Sequence, residues 1–102
     1  MIKILNEINL QKDLVTSAKL YLYFYSSGCG PCKIVSPLVE EFGKTTNNVV
    51  YTIASSEGGE LQEQLNVSAY PSMVVVQYNK VIKGGIGQGE VIKIIEDATS
   101  NK

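Results

Sequence analysis

The sequence predicts an α/β fold in three layers, α/β/α, with a mixed sheet between helices on both of its faces. Two unbroken apolar runs, Leu20–Tyr25 and Met73–Val76, have strand length and leave no face for water. Around them, apolar residues recur three and four apart, the spacing of helices with one buried side. Val81 and Ile82 follow Val76 after a few mostly polar residues, which is hairpin spacing and so antiparallel pairing. The expected order is β-α-β-α-β-α-β-β-α, parallel strands plus a C-terminal antiparallel hairpin. The 102 residues are expected to form one domain, 1–102, burying roughly 65% of the unfolded surface without covalent staples.

Each element has its own signal. Ile2 and Ile4 alternate with polar neighbours, as in a short edge strand. Asn9 suits a helix cap, and Leu10, Leu14, Val15 and Ala18 follow at helical spacing. Leu20–Tyr25 is the expected central strand, on which Tyr21, Tyr23 and Tyr25 share one face by the period of two. Ile34, Val35, Leu38, Val39 and Phe42 mark a long helix, which Pro37 is expected to kink and Gly43 to weaken. After a polar connection from Thr45 to Asn48, Val49–Ala54 reads as a strand. Ser55 to Gly59 reads as a turn, and Leu61 and Leu65 as a short helix ended by Asn66. Gly84, Gly85, Gly87 and Gly89 suggest a turn or bulge before a last helix from Glu90, carrying Val91, Ile94, Ile95 and Ala98 and fraying from Thr99.

Composition narrows the function. The basic residues are all lysines, nine against ten acids, for a net charge of −1. Without arginine for bidentate phosphate contacts and without a basic cluster, nucleic acid is not an expected partner. The absence of histidine removes imidazole bases and the commonest metal ligand together. Met1–Glu7 has no apolar run of the signal-peptide kind, and no stretch approaches the ~20 apolar residues of a membrane span. The expected compartment is the cytoplasm, with no membrane association. There, a lone cysteine pair is more often catalytic or metal-binding than structural.

The chemistry concentrates in Cys29, Gly30, Pro31 and Cys32, which hold the only two cysteines. If Pro31 and Cys32 open the long helix, Cys29 stands at its N-terminus. There, unpaired N–H groups and the helix dipole favour thiolate over thiol, so Cys29 is the expected nucleophile, with a pKa below the ~8.5 of a free cysteine. A second sulfur one turn on can reach the first and close a disulfide while tucked beneath it, making Cys32 the expected resolving thiol. Two cysteines without histidine cannot complete a four-ligand zinc site in one chain, so no metal is expected.

With Cys29-Gly30-Pro31-Cys32, Lys33 beside it, Pro37 five residues past the second cysteine, Pro71 before a buried strand and Gly87 after the hairpin, the chain resembles the thioredoxin family over essentially its whole length. The resemblance implies reduction of protein disulfides through a mixed disulfide on Cys29 that Cys32 releases. Gly30, Pro31 and Lys33 then belong to the motif that activates the thiolate. The Tyr70–Pro71 bond is implied to be cis, setting the residue 70 backbone beside the sulfurs. Gly28, Tyr70, Pro71, Ser72 and Gly87, with Gly30, are implied to form a shallow surface for the partner's chain. The resemblance also implies no cofactor beyond the cysteine pair, electrons from a thioredoxin reductase or another thiol donor, disulfide-containing proteins as substrates, and a monomer.

Three positions depart from the family's pattern. Gly28 replaces the tryptophan usual before the first cysteine. Tyr23 falls where the family has a buried aspartate, and Thr52 where it has the lysine partner. A phenol with pKa near ~10 is a poor base at neutral pH, so Cys32 is expected to lose its proton to water or to the Cys29 thiolate, with Tyr23 a hydrogen-bonding bystander. Core packing is the favoured role for the tyrosine face. The departures keep a second function class open, a binding or accessory module whose thiols are secondary.

Overall fold

Leu20–Tyr25 forms β2, whose residues alternate between two cores. In the computed structural model, residues 2–4, 19–46, 49–78 and 80–100 are described. The helix expected from Asn9 to Ala18 lies outside the described residues, as do Asn47, Asn48 and Asn79. The other strands are β1 (Ile2–Ile4), β3 (Val49–Ala54), β4 (Ser72–Gln77) and β5 (Lys80–Ile86), and the helices are α1 (Gly30–Thr45), α2 (Ser55–Gln64) and α3 (Gln88–Ser100).

The sheet runs β1-β3-β2-β4-β5, with β1 and β2 parallel to β3, and with β4 antiparallel to both β2 and β5. β1 is the edge strand and β2 the central one, as the apolar patterns predict. Tyr21 and Tyr23 point to a core shared with Val35, Val39 and Phe42 of α1 and with Val91 and Ile94 of α3. Leu20, Leu22 and Phe24 point the other way, to Tyr51 and Ile53 of β3 and to Leu61 and Leu65. One strand thus anchors both helical layers. The Tyr21 ring meets Phe42 edge-on, with centroids 5.0 Å apart.

Several boundaries differ from the sequence reading. Ser55–Gly59 is helical rather than a turn. Glu57 complements the dipole in the first turn, the Gln62 amide donates to the Ser55 carbonyl at 3.1 Å, and Gly59 absorbs a break with φ 43°. Asn66 ends this segment as expected, in the left-handed region at φ 59°. α1 continues through Pro37 and Gly43 to Thr45, where the Thr46 N–H donates to the Phe42 carbonyl at 2.8 Å. α3 begins at Gln88, ahead of Glu90, because the Glu90 carboxylate accepts the Ile86 N–H at 2.8 Å and steadies the entering chain.

Gly84 and Gly85 lie inside β5, so they make no turn there. The ladder irregularity sits nearby: Val75 faces Lys83 and Val76 faces Val81, leaving Ile82 as the extra residue of a bulge. Gly85 is glycine because α3 crosses there. A Cβ on it would stand 2.9 Å from Ile94 Cδ1 and 3.0 Å from Glu90 Cβ, whereas at Gly84 it would meet nothing within 4 Å.

Two predictions follow from this packing. Gly85→Ala must displace the Ile94 side-chain tip and crowd Glu90 of α3, and is expected to cost about 1–3 kcal/mol in urea unfolding, while Gly84→Ala changes stability little; equal midpoints would contradict the close approach. Burial raises the phenol pKa of Tyr21 and of Tyr23 above the ordinary 10.0. The unfolded chain therefore loses these protons first, so their contribution to stability is full below about pH 10 and falls as pH rises beyond it. Tyrosinate absorbance of the folded protein should show two phenols titrating later than in urea.

Candidate active site

The sheet's register gathers the expected site at one of its ends. Phe24 of β2 faces Ser72 of β4, and Ser72 faces Ile86 of β5. The chain leaving β2, entering β4 and leaving β5 therefore opens on the same side. These segments carry Gly28 and Cys29, Tyr70 and Pro71, and Gly87.

Cys29 is the N-cap of α1, with extended backbone at φ −90° and ψ 113°. Its Sγ accepts the Cys32 main-chain N–H at 3.1 Å, the hydrogen bond an N-cap oxygen usually accepts. Its own N–H donates to the Ser26 carbonyl at 3.3 Å, closing the turn out of β2. Gly30 and Pro31 form the first turn, and no acidic residue there offsets the positive end of the helix dipole. Cys29 and Cys32 are joined in a disulfide, with Cα atoms 5.2 Å apart. The two sulfurs differ in access: Cys32 is 3% exposed, while Cys29 is half-buried. Gly28, Gly30, Pro31 and Lys33 are exposed around them.

The Tyr70–Pro71 bond is cis, as the resemblance implies. Pro71 is buried, and its carbonyl accepts the Gly87 N–H at 2.7 Å, while Gly87 takes φ 93°, a conformation that favours glycine. The Tyr70 hydroxyl donates to Gln62 Oε1, which ties the proline loop to α2. Ser72, expected on the binding surface, is 1% exposed, and its hydroxyl donates to the Ala69 carbonyl. Its side chain braces the loop instead of facing a partner.

Tyr23 and Thr52 sit opposite each other in the β2–β3 ladder. Tyr23 is 1% exposed, stacked on Tyr25 with centroids 5.8 Å apart, and its hydroxyl lies 2.9 Å from Ser36 Oγ. The sequence reading missed Ser36, whose signal is its place four residues beyond Cys32. It also missed Gln62, which no spacing marks. Among the described residues no group of three or more His, Cys, Asp or Glu could hold a metal ion, and no helix is long and apolar enough to cross a membrane.

The Thioredoxin family model matches residues 1–99. The chain is 27% identical over 85 residues to a thioredoxin of Mycoplasmoides gallisepticum, covering 82% of this chain and 85% of that one. It is 34% identical over 73 residues to mitochondrial thioredoxin O1 of Arabidopsis thaliana, covering 69% and 34%. In fold it is similar to Schistosoma mansoni thioredoxin, with a TM-score of 0.83 at 16% identity over 99% of this chain and 95% of that one. It is also similar to oxidised Plasmodium falciparum thioredoxin, at 0.76 and 23% over 95% and 97%. The cysteine pair joined across the first turn of α1 thus sits in a chain matched almost from end to end, which belongs to the thioredoxin family and is a thiol–disulfide oxidoreductase.

Proposed function

We propose that the chain reduces disulfides of partner proteins, with Cys29 as nucleophile and Cys32 as resolving thiol. One observation carries this reading: the accessible sulfur is the one capping a helix, where the Cys32 N–H points at it, and the other is 3% exposed. A thiolate on Cys29 is stabilised by that N–H and by the uncompensated dipole. It attacks one sulfur of the partner's disulfide, the partner's S–S bond breaks, and the other partner sulfur leaves as a thiolate that takes a proton. Cys32 then loses its proton to water or to the departing thiolate and attacks Cys29 Sγ. The mixed disulfide breaks, the second partner thiol is released, and the Cys29–Cys32 disulfide forms.

The surface around Cys29 suits an extended partner chain. Gly28 and Gly30 are exposed, and a Cβ on either would meet nothing within 4 Å, so a partner's backbone can come close. The Tyr70 main chain beside Pro71, with Gly87 across from it, offers the pairing edge. Ser72 contributes by holding this loop through Ala69. Lys33, exposed just inside the helix, adds positive charge near the thiolate. The pair is recharged by a thioredoxin reductase or an equivalent thiol donor. The protein acts as a monomer in the cytoplasm with no cofactor beyond its cysteines. Electron transfer to disulfide-bearing proteins, and so cellular redox homeostasis, is its proposed role.

Insulin reduction with a dithiol donor tests the direction and the roles together. Wild type is expected to turn over, Cys29→Ser to lose all activity, and Cys32→Ser to stop as a trapped mixed disulfide; turnover by Cys29→Ser would overturn the assignment. A double cysteine-to-serine variant that kept the cellular role would favour an accessory module instead. The absorbance of the reduced protein against pH should show a thiolate forming below the ~8.5 of a free cysteine, and a midpoint at or above that value removes the activation argument.

A further inference from the structure

The resolving sulfur is buried, and among the described residues no carboxylate or lysine is buried with it. Cys32 is 3% exposed, and its own N–H is spent on Cys29 Sγ. The core that α1 covers on this face of the sheet holds Tyr21 and Tyr23 of β2, Val50 of β3, Met73 and Val75 of β4, and Val91 and Ile94 of α3. Among the described residues, the titratable side chains in that core are Tyr21, Tyr23 and the partly buried Tyr25, and Thr52 of β3 adds a neutral hydroxyl beside Tyr23. On α1 itself Lys33 and Glu40 are exposed. A thiolate forming on Cys32 is desolvated and needs a neutral hydrogen-bond donor.

Ser36, four residues beyond Cys32 on α1 and hydrogen-bonded to Tyr23, is the candidate for that donor. It stands one helical turn beyond Cys32, and side chains four apart on a helix share a face. Its Oγ is 2.9 Å from the Tyr23 hydroxyl. Burial raises the Tyr23 pKa, so that phenol keeps its proton, and donating it to Ser36 Oγ leaves the serine proton free to turn elsewhere. We propose that the Tyr23–Ser36 hydroxyl pair stabilises the resolving thiolate, Ser36 donating its proton's hydrogen bond to Cys32 Sγ and Tyr23 acting as the positioning residue that orients it. The proton that Cys32 gives up still leaves to water or to the departing partner thiolate, as above. The pair stays neutral throughout, so the second step follows the ionisation of Cys32 alone.

This proposal rests on the reading that Cys32 resolves the mixed disulfide, and stopped-flow reaction of the reduced full-length protein with dithiobisnitrobenzoate separates the two. The first release of coloured thiolate reports attack by Cys29, and the second reports resolution by Cys32. In Ser36→Ala the second phase is expected to slow about tenfold at neutral pH and its pH midpoint to rise by about one unit, with the first phase unchanged. Ser36→Thr restores the hydroxyl and the rate. Tyr23→Phe shifts the second phase the same way by less, because the serine loses its orientation but not its proton. A second phase unchanged in a folded Ser36→Ala protein, or both phases slowed alike, overturns the proposal. A first phase that survives in Cys29→Ser overturns the assignment of the cysteines instead.

Discussion

Burial of β2 on both faces is the constraint from which the rest of the structure follows. Five of its six residues are buried, alternate ones reach opposite helical layers, and β3 and β4 hold its edges. A strand fixed in all these directions cannot slip by one residue without turning Tyr23 and Phe24 into each other's cores. The loop leaving it therefore delivers Cys29 to one place, and α1, pinned through Val35, Val39 and Phe42, presents its N-terminus there. The thiolate's stabilisation is a matter of position: a helix end is a donor only to an atom held within hydrogen-bond distance, and the Cys32 N–H meets Cys29 Sγ at 3.1 Å.

The same rigidity makes the polar inventory beneath the disulfide consequential. Ser72 is the buried polar residue among the described residues apart from the tyrosines, and its hydroxyl is committed to Ala69. Where a buried carboxylate would titrate, this chain has a phenol that burial keeps protonated. A neutral pair costs less to bury than a charge, and it offers one proton to a thiolate without competing for it. Tyr70 shows the same economy on the other side of the sheet, its hydroxyl held by Gln62, whose amide holds the start of α2.

Much of this was legible in the residues. The unbroken run Leu20–Tyr25 established a central strand, the three tyrosines two apart their shared face, and the Cys29-to-Cys32 spacing a bond across one turn, because each depends on a period or reach that the chain carries locally. The elements mis-bounded by that reading, Ser55–Gly59 and the glycines of β5, failed for the opposite reason. Ser55–Gly59 has no apolar period, and its helix is held by Gln62 from within α2 and by packing onto β3. Gly84 and Gly85 look like a turn in sequence but lie in a strand, and Gly85 is small because a Cβ on it would stand 2.9 Å from Ile94 Cδ1 of α3.

The sequence by itself determined the chemistry available: two thiols in one turn, no imidazole, no arginine, and tyrosine, threonine and glycine at three positions where the family has an acid, a base and a large ring. Tertiary structure alone decided that Ser72 turns inward to Ala69 and that Tyr23 finds its partner in Ser36 of α1. Accessibility and long-range hydrogen bonds depend on which surfaces the folded chain covers. No local period encodes a contact between residues 13 apart on a strand and a helix.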